Sequence, residues 1–186
     1  MPVYSYDPPD RFVVGTVGEP GDRTFYLQAR AVGRITSVVL EKGQVSQLAE
    51  RLGELLDEVL RRSGGAAAIP VEAPESLTDD GPLEQPLMED FRVGPIALAW
   101  DGDSERVIIE AQELTEEPLE SFAEDLPEDG PGILRVTITA AAARAFAKRA
   151  HLLVVQGRPP CPLCGLPLDA AGHICPRQNG HRLGRV

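Results

Sequence analysis

The hydrophobic pattern near the start of the chain predicts a strand-strand-strand-helix unit in residues 1–65. Three short apolar segments, separated by turn residues, have the length and composition of strands: 11–17, 24–30 and 35–40. A helix is predicted over 44–62, because Val45, Leu48 and Leu52 recur at helical spacing and two glycines follow it. The apolar stripe of this helix is wide enough to pack against a sheet.

The pattern of residues 90–154 repeats that of the first unit. Residues 91–94 resemble 12–15, residues 107–111 resemble 25–29, and the segment 133–151 aligns without a gap with the third strand and helix of the first unit. We interpret this as an internal duplication. It predicts an α+β fold of two similar units in an antiparallel sheet, with both helices on one face.

Two polar segments interrupt the units. Residues 66–89 are rich in Ala, Pro, Gly and acidic residues, which is typical of a linker, and we expect this segment to be mobile. The second unit contains an acidic insertion at 113–131 without a basic residue. Such runs are typically solvated loops, and the functional alternative is a surface that docks a basic partner.

Overall charge and hydropathy limit the classes of partner. The formal net charge is −11, which argues against binding to nucleic acid or to an anionic membrane. No apolar run is long enough to span a bilayer. From Arg144 onward, however, the basic residues face a single acid, Asp169.

The last segment, 155–186, has the composition of a zinc-binding knuckle. Cys161 and Cys164 have the two-residue spacing of a metal-binding turn, and structural zinc prefers four thiolate or imidazole ligands. The second pair is predicted to be His173 with Cys175; the alternative is Cys175 with His181. Several prolines exclude a helix here, so a bound metal is the expected source of order.

The cysteine count and the N-terminus together predict a reducing, cytoplasmic location. Three cysteines cannot all pair within the chain, and the first residues lack the basic and apolar regions of a signal peptide. In such a compartment, closely spaced cysteines more often bind metal than form disulfides.

No catalytic motif is present in the sequence. The chain has no phosphate-binding loop, no nucleophile elbow and no His-Glu-x-x-His pair, so no catalytic residue is predicted and a role other than catalysis is favoured. The arginines Arg30, Arg34 and Arg92 are candidates for holding an anion between the two units.

The tail and two N-terminal segments resemble a known family. The tail motif comprises 157–169 and 172–180, and the N-terminal segments are 25–30 and 40–45. These segments are similar to the uncharacterised actinobacterial domain-of-unknown-function 3090 family. The resemblance implies no established activity, but it implies a kinase-like and a histidine-phosphatase-like companion. An aromatic residue is usual in that family where this chain has His181, which favours His173 and Cys175 as ligands.

Two functions follow as hypotheses. The first is a protein-interaction or adaptor module with a structural zinc ion, for which the kinase-like companion is the candidate partner. The alternative is an enzyme or a binder of small anionic ligands, with the arginine-lined cleft between the repeats as its site.

Overall fold

Seven strands and two helices form the body in the computed structural model, which describes residues 3–19, 21–65, 67–123, 127, 129–156, 161–164 and 175. The strands are β1 (Val3–Tyr6), β2 (Arg11–Val17), β3 (Thr24–Ala31), β4 (Arg34–Leu40), β5 (Phe91–Asp101), β6 (Arg106–Glu113) and β7 (Ile133–Thr139). The helices are α1 (Lys42–Arg62) and α2 (Ala140–Val155), and a short 3-10 turn spans Glu75–Leu77. No helix within these ranges combines the length and apolar character that crossing a membrane requires.

The strands form one mixed sheet in the order β1-β7-β6-β5-β4-β3-β2. The prediction of a wholly antiparallel sheet is wrong at two places, because β4 pairs with β5, and β1 with β7, in parallel. The β4–β5 pair is parallel because of the way the two strands are connected. The chain leaves β4 through α1 and the 66–89 segment and re-enters the sheet in the same direction, as a crossover does and a hairpin does not.

Each half of the chain is a three-stranded antiparallel meander followed by a helix. β2-β3-β4-α1 and β5-β6-β7-α2 therefore share element order and strand direction. The α+β class is confirmed by this arrangement, whereas the origin of the halves by duplication stays a prediction.

Strand β1 was not predicted, and it joins the two halves. It pairs with β7, yet its Tyr6 hydroxyl lies 2.7 Å from Thr36 Oγ1 of β4. Arg34 of β4 donates to the carbonyl of Ser5 at 2.7 Å and stacks over the Tyr6 ring. The sheet therefore coils until its β1 edge contacts a strand of the other half.

The main core lies on the sheet face that carries both helices. α1 and α2 contact each other, α1 contacts β5, and α2 contacts β2, β6 and β7. Leu52 and Leu56 of α1 and Ala143 of α2 are fully buried in one cluster with the sheet residues. α1 begins with a capping interaction, since Gln44 Oε1 accepts the Glu41 backbone N–H at 2.8 Å.

Two buried polar pairs lie on the opposite face and fix the two polar segments. In the first half, Gln28 of β3 donates to Ser37 of β4 and exchanges two hydrogen bonds with the backbone of Glu84. In the second half, Glu110 of β6 pairs with Arg135 of β7. Gln28 and Glu110 occupy matching positions in the two halves when their β-strands are aligned.

The linker and the acidic insertion thus pack against the body through these pairs. Leu83 of the linker lies over Gly15, where a Cβ would come within 2.6 Å of Leu83 Cγ. In the acidic insertion, the Phe122 N–H donates to Glu110 Oε1 at 3.0 Å, and Arg135 reaches the carbonyl of Ala123. Parts of both segments expected to be mobile or solvated therefore have fixed partners.

Candidate functional site

The three cysteines of the chain lie together. Their sulfur atoms are all within 4.8 Å of one another, and Cys161 Sγ is 3.9 Å from Cys175 Sγ. Cys161 and Cys175 are buried, Cys164 is half-buried, and none of these three is in a disulfide bond. In the part of the chain that the structure describes, this is the one group of three or more possible metal ligands.

A turn over residues 162–164 presents the first two cysteines. The Leu163 N–H points to Cys161 Sγ at 3.4 Å, a contact that favours a charged sulfur. Burial raises the pKa of the Cys161 thiol. The backbone N–H groups of Cys164 and Leu163 and the thiols of Cys164 and Cys175 lower it, and the net pKa lies below the usual thiol value. A thiol of this kind supplies a thiolate readily.

The geometry fits a tetrahedral metal. With metal–sulfur bonds of about 2.3 Å, two thiolates on a tetrahedral zinc ion are about 3.8 Å apart. The separation of 3.9 Å between Cys161 and Cys175 is close to this value and far longer than a disulfide bond. The three cysteines can therefore hold a metal ion. His173 and His181, the candidates for the fourth ligand, lie outside the described residues.

The three arginines predicted to share a cleft do not converge. Arg30 pairs with Ile35 in the β3–β4 ladder, and paired residues project from the same face of the sheet. Arg34 directly precedes Ile35 in β4, so it projects from the opposite face. Arg92 lies opposite Val39, five residues along β4 from Arg34, or about 16 Å.

Each of these arginines has its own partner. Arg30 contacts Glu84 at 3.3 Å, Arg92 contacts Glu41 at 2.8 Å, and Arg34 is bound to β1. The structure therefore does not bring these three residues together in one cleft. The sequence shows where these arginines lie along the chain, but it does not show which face of the sheet each one occupies.

A different pair of arginines, one from each half, does converge. Arg11 of β2 binds the carboxylate of Asp79 through two parallel hydrogen bonds, Nε to Oδ2 at 2.6 Å and Nη2 to Oδ1 at 2.9 Å. Arg149 of α2 reaches the same carboxylate, Nη1 to Oδ1 at 3.1 Å, and also donates to the carbonyls of Val14 and Gly81. Asp79 belongs to the linker.

The Asp79 carboxylate is held in its ionised form. Its pKa is lowered from 3.8 to about 2, chiefly by the hydrogen bonds from Arg11, with burial opposing. The Gly81 N–H and the charges of Arg11 and Arg149 lower it further. Nothing local in the sequence signals this cluster, because Asp79 lies 68 and 70 residues from its partners.

A cavity of about 250 Å³ opens beside this cluster. Phe12 and Phe146, which stack with ring centroids 4.6 Å apart, form part of its wall together with Leu77 and Ala142. Arg11, Arg149 and Asp79 line it as well. The cavity thus combines apolar walls with two arginine side chains.

The comparisons with known proteins agree with the sequence resemblance. The model of a family described as "Protein of unknown function (DUF3090)" matches residues 4–175. No curated protein and no solved structure matches the chain.

Proposed function

Since this chain belongs to the DUF3090 family, whose description assigns no activity, we propose a function from the cluster of three cysteines. The protein acts as an interaction or adaptor module, without catalysis of its own, and a structural zinc ion orders its C-terminal segment. The observation that carries this proposal is the clustering of three thiols at metal-binding distance.

Zinc is the metal that best suits these ligands. Thiolates are soft ligands, and tetrahedral sites of three or four cysteine and histidine ligands are typical of structural zinc. We propose His173 as the fourth ligand, with His181 as the alternative. A full set of four protein ligands leaves no position for water or substrate, so the ion acts in folding and not in chemistry.

Charge supports docking by the same segment. Segment 155–186 contains one acid, Asp169, and four arginines, although the chain as a whole is acidic: Arg158, Arg177, Arg182 and Arg185. A rigid, basic knuckle can contact an acidic surface on another protein. The kinase-like companion implied by the family resemblance is the proposed partner.

Metal analysis of the purified chain tests the first half of the proposal. We expect inductively coupled plasma mass spectrometry to find one zinc ion per chain in the wild type and none in Cys161→Ser. His173→Ala should lower the zinc content, whereas His181→Ala and His151→Ala should leave it unchanged. Wild-type protein with no bound metal would contradict the proposal.

Binding to the kinase-like companion tests the second half. We expect the two proteins to co-elute in size-exclusion chromatography after co-expression, and the complex to be lost in Cys161→Ser. Thermal unfolding of the isolated variant should show that the α+β body is intact. Equal binding by the variant and the wild type would show that the cysteine segment does not take part in the interaction.

A further inference from the structure

The Arg11–Asp79–Arg149 cluster has the geometry of an anion-binding site that is already filled. The carboxylate of Asp79 meets Arg11 in the two-pronged arrangement with which arginine binds free carboxylates and phosphates. Arg149 adds a contact from the other side. An external anion would make the same bonds.

The carboxylate comes from a connecting segment and not from the scaffold. Arg11 and Arg149 project from a strand and a helix, and their side chains are only 16% and 14% exposed. Asp79 lies two residues after the short turn Glu75–Leu77, and its side chain is 36% exposed. The cations thus project from the body, whereas the anion is carried by a connecting segment and is partly exposed. Both guanidinium groups also donate to linker carbonyls, those of Asp79, Gly81 and Pro82.

The adjoining cavity limits the size and the apolar part of a ligand. Its volume of about 250 Å³ is just below the usual range for ligand pockets, so it suits a molecule of about one substituted ring. The stacked rings of Phe12 and Phe146 offer an apolar surface to such a ring.

The other acidic groups near the cavity are engaged elsewhere. Asp10 lines the cavity, but its carboxylate accepts the Val32 N–H at 3.0 Å. Glu84 lies 3.6 Å from Arg11 and closer, 3.3 Å, to Arg30. Asp79 is therefore the carboxylate that both Arg11 and Arg149 bind directly.

We propose that this cavity binds a small molecule with an apolar ring and one anionic group, a phosphate monoester or a carboxylate. Asp79 occupies the anion position in the free protein. When the ligand binds, its anionic group replaces the Asp79 carboxylate between the two arginines, and the linker around Gly81 loosens. The site uses one arginine from each half of the chain and is independent of the cysteine cluster.

Phenyl phosphate is a suitable probe of the full-length protein, and calorimetric titration is the measurement. Asp79→Asn removes the competing charge, so we expect this variant to bind phenyl phosphate at least about tenfold more tightly than wild type. The matched control is Asp80→Asn, since Asp80 is an exposed neighbour that loses the same charge. It should bind as the wild type does.

Two further titrations separate the anion from the ring. Benzoate should show the same preference for Asp79→Asn, whereas phenol, which has no anion at neutral pH, should show none. Adding Arg149→Gln to Asp79→Asn should abolish the gain. Equal affinities of Asp79→Asn and Asp80→Asn for phenyl phosphate would overturn the proposal.

A measurement on the wild-type chain decides the question if Asp79→Asn does not fold. The Gly81 N–H donates to Asp79 Oδ1 at 2.9 Å. Saturating phenyl phosphate should speed hydrogen exchange of this amide several-fold, because its acceptor is displaced. An unchanged exchange rate at Gly81 would show that Asp79 is a permanent part of the fold.

Discussion

Glu110 and Arg135 face each other across β6 and β7, and the carboxylate of Glu110 accepts two hydrogen bonds from the guanidinium, at 2.9 and 2.7 Å. Glu110 is only 1% exposed, and its other oxygen accepts the N–H of Phe122 and the side-chain amide of Gln112. The carboxylate is thus hydrogen-bonded both to the sheet and to the acidic insertion. The pair is one of the points at which the insertion is attached to the sheet.

Glu110→Ala should therefore destabilise the protein strongly. It leaves the largely buried charge of Arg135 without its partner, and we expect the free energy of unfolding to fall by about 3 kcal/mol. Urea unfolding followed by circular dichroism measures this change. Hydrogen exchange at Phe122 should also become faster. Glu116→Ala, at an exposed position of the same insertion, should change stability by less than about 0.5 kcal/mol.

The contact between Gly15 and Leu83 predicts a steric effect that a second substitution relieves. In Gly15→Ala the new methyl group would overlap the Leu83 side chain, and we expect a loss of about 1–3 kcal/mol. In the background of Leu83→Ala, the same change should cost much less. A double-mutant cycle measured by urea unfolding gives the coupling.

Gly43→Ala is the matched control for this cycle. Gly43 lies in the first turn of α1 with nothing within 4 Å of its added methyl group. Because alanine favours helix over glycine, this variant should be stabilised by about 0.5–1 kcal/mol. Additive effects of Gly15→Ala and Leu83→Ala would mean that the linker does not lie over β2.

Asp79 should make stability depend on pH in the acid range. Its pKa is lower in the folded protein, about 2, than its ordinary value of 3.8. Its stabilising effect is therefore complete above pH 4 and is lost as the pH falls toward 2. Because the side chain is partly exposed, we expect a loss of only about 1 kcal/mol.

Urea midpoints measured between pH 2 and pH 6 test this dependence. Wild type and Asp79→Asn should differ in stability at pH 6 and approach each other near pH 2. Asp80→Asn should run parallel to the wild type throughout. If the difference in stability between wild type and Asp79→Asn stayed constant with pH, other carboxylates would be responsible for the loss of stability in acid.

Chelation should expose the three thiols without unfolding the body. A bound metal protects the cysteines, so we expect their reaction with a thiol reagent to be slow before chelation and to reach all three afterwards. The far-UV circular dichroism should change little, because the hydrophobic cluster consists of residues between Tyr6 and Ala150. Identical thiol reactivity before and after chelation would argue against a bound metal.

The sequence predicted the elements whose signals are local. Residues close in the chain account for the apolar run of β2, the helical spacing of α1 and the Cys161–Cys164 turn. The structure adds four residues to the predicted end of α2 and two to the start of α1. Helix ends are set by capping contacts, such as that of Gln44, more than by periodicity.

The features that the sequence did not predict depend on partners far apart in the chain. β1 has only four residues, and it is a strand because β7 offers it an edge. The parallel pairing of β4 with β5 rests on two residue pairs, Val38 with Phe91 and Val39 with Arg92. Periodicity indicates that a segment is a strand but not which strand lies beside it, so it does not show that Arg11 and Arg149 meet at Asp79.

The position of β1 has a consequence for any attempt to divide the protein. A fragment cut in the linker would carry β1 away from β7 and leave β5 without β4, so each piece would expose backbone groups that now have partners. Neither piece should be soluble alone, and the two should regain native structure only when mixed. The apparent repeats are thus interlocked, and the smallest autonomous folding unit is the whole α+β body.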